Sequence, residues 1–168
     1  MMLPLEIKQS GGTLFPHSVL RGGVFLGEAS RKIYREMKLG TWNVRSFYRP
    51  RSLKAAAREL ARYKLDVVGM QEVRWDKEGT VRAGDYNFFY GKGKENHQLG
   101  TGFFVHRSLV SAVKRIEFVS DRLSYIVLRG RWLHNILVNV HAPSEERSEE
   151  LKDSFHEVLE EVFDHFPK

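Results

Sequence analysis

Two side chains in this sequence stand where oxygen chemistry could be done: Asn43 in LGTWNVRS and Glu72 in LDVVGMQEVRW. Each closes a short apolar run, Leu39–Val44 and Leu65–Val73. Between the runs, Leu53, Ala56, Ala57 and Leu60 recur at helical spacing within Ser52–Lys64. A strand–helix–strand unit with a crossover of that length brings its strands in parallel. The amide and the carboxylate are therefore expected side by side at one edge of a sheet. Mg2+ is typically held by one or two carboxylates and keeps several waters, leaving room for substrate phosphate oxygens. The unit is a candidate half of a metal-dependent phosphoester site. Read locally, Glu72 has two accounts. A glutamate ending a run as apolar as VVGMQ either binds a cation or pairs with Arg74 or Arg45. Asn43 also suits a turn at a strand end, and Gln71 suits a supporting role beside the carboxylate.

The elements that would position these residues continue down the chain. Tyr86–Tyr90, Thr101–His106, Val113–Val119, Leu123–Leu128 and Trp132–Val140 are strand candidates, rich in Val, Ile, Phe and Tyr and separated by polar or glycine punctuation. Gly130-Arg131 suits a hairpin corner. A last helix is expected from Ser144 or Ser148 to about Phe166, with Leu151, Phe155, Val158, Leu159, Val162 and Phe166 on one stripe. Residues 1–37 lack a sustained period and carry two glycine pairs. They are expected to be a poorly ordered leader, with a short helix over Val24–Met37, ahead of a domain at 38–168. The order βα, several strands, then helix fits an α/β fold: one mixed, mostly antiparallel sheet with helices on one face.

Composition narrows the classes. With no cysteine, disulfides, thiolate metal sites and cysteine nucleophiles are excluded. No apolar run approaches membrane-spanning length, and the start lacks a secretory pattern, so a soluble, intracellular protein, nuclear or cytoplasmic, is expected. The net charge of +6 hides an asymmetry: Glu145–Lys168 holds nine acidic and three basic residues, leaving +12 on the rest. A basic body suits a polyanionic partner such as DNA, or simply solubility.

TWNVRS and QEVRW, followed by LGTGFFVHRSL and ILVNVHAPSEE, resemble four ordered landmarks of the endonuclease/exonuclease/phosphatase superfamily. The spelling is most similar to the apurinic-type endonuclease domain of RTE-like non-LTR retrotransposons and to the craniofacial development protein 2-like group of host sequences. The resemblance covers about Met37 to Lys168 and implies the first half of a four-layer, DNase I-like α/β sandwich. It implies that Asn43 and Glu72 hold a Mg2+ or Mn2+ ion and the phosphate. His141 falls where many relatives place a phosphate-contacting tyrosine; it either keeps that contact or simply ends a strand before the Ala-Pro turn. Arg45 replaces an acidic residue of relatives and either reads phosphate or stays solvated. Lys92 and Lys94, in GKGKEN, either touch a nucleic-acid backbone or form a solvated turn. Gly100 and Gly102 permit close backbone approach. Trp42 and Trp75 are expected to pack, and most of the basic flank Arg49, Arg51, Lys54, Arg58 and Arg62 to be the wet face of the first helix.

Gly84-Asp85-Tyr86-Asn87 imitates the family's Gly-Asp-aromatic-Asn motif but comes too early in the chain; it reads as a turn. That motif and the family's closing Asp–His pair have no counterpart in the 168 residues. The resemblance therefore implies a Mg2+-dependent DNA endonuclease that, as this chain alone, binds metal weakly and cuts slowly or not at all. The inner sheet face, including Phe103–Val105 and Ile136–Val140, is expected to stay wet and to drive self-association or pairing with a complementary fragment. The alternative is a non-catalytic host protein with a basic nucleic-acid- or protein-binding surface. A phosphomonoesterase or lipid-headgroup phosphatase is a third reading within the superfamily, and the retrotransposon-like spelling argues against it.

Overall fold

A computed structural model describes residues 18–24, 35–47, 51–91, 99–130 and 134–166. Strand β1 (Ser18–Val24) pairs antiparallel with β2 (Arg35–Asn43), which runs parallel to β3 (Val67–Gln71) across the helical crossover α1 (Ser52–Arg62). The hairpin β4 (Gly79–Ala83) and β5 (Tyr86–Tyr90) and the strand β6 (Thr101–His106) complete a six-stranded sheet in the order β1-β2-β3-β6-β5-β4. A 3-10 turn, Arg107–Ala112, leads into β7 (Val113–Phe118), β8 (Leu123–Leu128) and β9 (Asn135–Val140), a separate antiparallel sheet of three. Helix α2 (Glu149–Asp164) follows.

The crossover forms as its sequence requires. Leu53, Ala56, Ala57 and Leu60 bury one face of α1 against Val68, Met70, Phe88 and Phe104 of the large sheet. Arg51, Lys54, Arg58 and Arg62 lie on its exposed side, with Arg62 paired to Glu59. On the other side of the molecule, Val158, Leu159, Val162 and Phe166 lay α2 on Leu123, Tyr125, Val127, Val138 and Val140 of the small sheet.

The layering corrects the single sheet with helices on one face. The structure stacks α1, the large sheet, the small sheet and α2. The reason is edge availability. β6 inserts between β3 and β5, so both of its edges are already paired. The next strand cannot extend that sheet from β6, and the turn carrying buried Leu109 and Ala112 turns the chain over its inner face instead. The surface expected to stay wet is therefore covered: Phe103 and Val105 are 2% and 0% exposed, packed with Ile126 and Leu128. Ile136, Leu137 and Val138 are half-buried.

Other departures are local. Val24 and Arg35–Met37 are strand, not the short helix expected over Val24–Met37, and β1 lies inside the expected leader. The rest of the leader, together with Arg49, Lys92, Lys94, Arg131 and Trp132, lies outside the described residues. Strand β4 was not foreseen, because Gly79, Thr80, Val81 and Arg82 are all exposed and carry no burial pattern. Gly84 turns that hairpin at φ +60°, a conformation glycine adopts without penalty, so GDYN is a turn as expected.

Candidate active site

The inward-facing positions of the sandwich change character along its length. At one end they are Met37, Leu39, Val67, Val105, Leu128 and Leu137, all in the core between the sheets. At the other end the alternation of side chains brings Thr41 and Asn43 of β2, Gln71 of β3, Thr101 of β6, Ser124 of β8 and Asn139 of β9 to the same layer. The gap between the sheets is thus apolar in its depth and polar at one rim. Asn139 joins the layers there. Its Nδ2 donates to the carbonyls of Met70 (3.0 Å) and Gly102 (3.3 Å), and its Oδ1 accepts from Gln71, whose Nε2 also donates to Thr41 Oγ1 at 2.7 Å. Gly69 makes the room: a Cβ there would lie 2.8 Å from Asn139 Cγ.

At this rim the chain leaves the sheet in left-handed conformations that non-glycine residues rarely adopt. Arg45, Glu72 and Arg74 have φ of +54°, +57° and +60°, and Ser46 +142°. Each costs on the order of 1 kcal/mol. Backbone bonds hold the turns in place: Val44 N–H to Gln71 O, Phe47 N–H to Val73 O, Val73 N–H to Gly100 O, and Arg74 N–H to Leu99 O at 2.9–3.2 Å. Left-handed residues held in place by their surroundings are common at functional sites, and four of the five non-glycine ones among the described residues lie at this rim.

The side chains converge there. Asn43 Nδ2 donates to Glu72 Oε1 at 2.7 Å, Arg74 Nη2 donates to Glu72 Oε2 at 2.9 Å, and His141 Nε2 lies 3.7 Å from Glu72 Oε1. Asn43 Oδ1 accepts the Arg45 N–H at 3.1 Å, so the amide is fixed at both ends. Burial works to raise the Glu72 pKa, but the bonds from Asn43 and Arg74 and the charges of His141 and Arg74 outweigh it, leaving a carboxyl below its ordinary 4.5. His141 is driven below its ordinary 6.5 by burial and then by Arg122, against the pull of Glu72 and Asp121. At neutral pH the site therefore holds a carboxylate and a neutral imidazole.

The structure thus brings Asn43, Glu72 and His141 together. Arg45 is exposed at the same rim. Gln71 is buried in the layer beneath, as its supporting role requires. Trp42 is core, and Trp75 packs edge-on to Tyr90 and donates to Phe47 O, so both tryptophans pack. Gly102 permits the close approach expected of it, since a Cβ there would lie 2.7 Å from the Phe88 ring. Two contributors were not singled out from sequence. Arg122 donates from Nη1 to the His141 carbonyl at 3.1 Å, and Asn139 bridges the sheets. Asn139 had a legible signal, a lone amide at an inward position of ILVNV. Arg122 had none, since nothing local marks a loop arginine two elements away as a neighbour of His141.

The donors suit a hard cation: a carboxylate and an amide oxygen at an accessible rim. Among the described residues no group of three His, Cys, Asp or Glu could hold a metal. An ion here would therefore have Glu72, with the Asn43 amide beside it, and would complete its shell with water.

Comparison with known proteins agrees with this architecture. The chain is 26% identical over 133 residues to craniofacial development protein 2 of Bos taurus and of Tragulus javanicus, a match covering 79% of this chain. It spans only 22% and 23% of those relatives. Among solved structures, the endonuclease domain of TRAS1, a telomere-specific non-LTR retrotransposon, superposes with a TM-score of 0.53 at 14% identity, over 79% of this chain and 56% of that one. A humanised D. rerio TDP2 gives 0.51 at 21% identity, over 78% and 61%. The two structural likenesses establish a shared DNase I-like fold. The Endonuclease/Exonuclease/phosphatase family profile matches residues 40–164, and the chain belongs to that family.

Proposed function

We propose that this chain carries part of a divalent-metal-dependent phosphodiesterase site acting on DNA. The observation that supports this best is the Asn43–Glu72 contact of 2.7 Å at the common end of two parallel strands, with His141 Nε2 3.7 Å from the same carboxylate oxygen. Arg45, Arg74 and Arg122 stand around it, a setting that favours an anionic substrate. Glu72 would hold Mg2+ or Mn2+, with Asn43 fixing the carboxylate's orientation and offering its Oδ1. When bound, the ion would polarise a phosphoryl oxygen as a Lewis acid. His141, neutral near pH 7, can donate one ring N–H to a phosphate oxygen while Arg122 fixes its backbone.

Among the described residues no group of three acidic or imidazole ligands gathers around Glu72 to hold an ion, so cleavage by these 168 residues alone is expected to be slow. Nicking of supercoiled plasmid with Mg2+ or Mn2+, wild type against Glu72→Ala and against chelator, tests the reading. Slow nicking lost in both controls is the expected result; nicking that survives Glu72→Ala overturns it. A second reading, a non-catalytic basic binding surface, draws on the internal partners that both Glu72 oxygens already have. It expects salt-sensitive, metal-independent DNA binding unchanged by Glu72→Ala.

A further inference from the structure

The carboxylate of Glu72 is spoken for on both oxygens, and its two partners are not equivalent. Asn43 is held at its own far end by the Arg45 N–H. Arg74 reaches Oε2 from the flexible end of a side chain that is 41% exposed, against 18% for Glu72, and its Nε is buried with no hydrogen-bond partner among the described residues. The guanidinium is therefore the partner that can leave. The geometry points to Arg74 as an internal counter-ion seated on the face of Glu72 that a divalent cation would use, so that guanidinium and metal occupy the carboxylate in alternation. The inference rests on the metal-site reading of Glu72 and adds a competitor to it.

Two features make the pairing a consequence of the fold. Glu72 and Arg74 both sit at positive φ, with Val73 between them buried and hydrogen-bonded to Gly100 O. In a regular strand residues two apart would share a face because the side chains alternate. Here the chain has already left the sheet, and it is the two left-handed turns, locked by the Gly100 and Leu99 carbonyls, that return both side chains to the rim. The consequence is electrostatic. A dication that takes Glu72 displaces the guanidinium but leaves it tethered two residues away, within several ångströms. Their repulsion, even at water-like screening, weakens cation binding by on the order of tenfold. Arg74 thus keeps the carboxylate paired and aimed in the absence of metal, and sets the concentration at which metal takes over.

The test uses the full chain with Mn2+ as probe, counting free Mn2+ by electron paramagnetic resonance. Arg74→Gln should bind Mn2+ about tenfold more tightly than wild type, whereas Arg74→Lys, which keeps the charge, should bind within about threefold of it. Unchanged or weaker binding in a folded Arg74→Gln overturns the inference. Wild type supplies a readout independent of the variants: the Arg74 side-chain Nε–Hε resonance should shift as Mg2+ is added, saturating with the binding curve. A resonance indifferent to bound Mg2+ also overturns it. Glu72→Gln separates the two levels. If Mn2+ binding survives that change, the metal-site reading itself fails. If binding is lost with Glu72→Gln but unmoved by Arg74→Gln, only the competition fails. If neither wild type nor Arg74→Gln binds Mn2+ saturably, both fall.

Discussion

His141 shows how much a single position owes to its surroundings. A histidine in NVHAP could be a strand-end residue or a phosphate donor, and burial beside Arg122 decides its charge: the pKa falls below 6.5. For a base whose folded pKa is depressed, the stability it contributes is fully present above the unfolded value. It is lost as pH falls through the folded one, because the unfolded chain then binds the extra proton. Between pH 7 and 5, wild type should therefore lose more stability than His141→Gln, as followed by urea unfolding at each pH. A nuclear magnetic resonance titration should place His141 below 6.5, and a value above it would show that Glu72 and Asp121 dominate instead. Glu72 works the other way round in charge but in the same sense of pH. Its lowered pKa gives stability that is present above 4.5 and is lost in acid.

At the scale of elements, the rim is set by how β3 and β9 face each other. Asn139 donates to carbonyls of β3 and β6 and accepts from Gln71, which in turn reaches Thr41 of β2, so one amide of the small sheet ties three strands of the large one. These groups are buried, and Asn139 itself is 5% exposed. Replacing Asn139 with Leu, similar in shape, leaves the Met70 and Gly102 carbonyls without this donor and deprives Gln71 of an acceptor. The expected loss is about 1–3 kcal/mol in urea unfolding. A loss under about 0.5 kcal/mol, the range of ordinary surface substitutions, would show that the bridge does not hold the sheets together.

At the scale of the whole molecule, the covered inner face moves any self-association elsewhere. Phe163 and Leu151, 56% and 52% exposed on α2, are the most exposed of the large apolar side chains described. Phe163 lies in the last turn of a helix that has no basic residue there. Phe163→Lys removes the apolar contact and places a cation where the helix dipole favours one, by about 0.3–1 kcal/mol. Its Tm should be equal to or slightly above wild type, and sedimentation velocity should show less association. A marked fall in Tm would mean that the ring is packed against part of the chain.

What is local and periodic can be read from the residues alone. The crossover α1, the strands Tyr86–Tyr90, Thr101–His106 and Leu123–Leu128, and the meeting of Asn43 with Glu72 were all legible, because burial writes its period into the residues and a parallel crossover aligns strand ends. Which strand edges stay free follows from how the strands assemble in space. Alternation along β7–β9 says that one face is buried, but not against which sheet; the insertion of β6 between β3 and β5 settled that by leaving β6 no edge to extend. β4 was invisible for the complementary reason: an exposed edge strand has no buried face to impose a pattern. The pairing of Arg74 with Glu72 belongs to the same class. Of two cations near one carboxylate, backbone turns at positive φ selected the partner, and no composition or spacing records that choice.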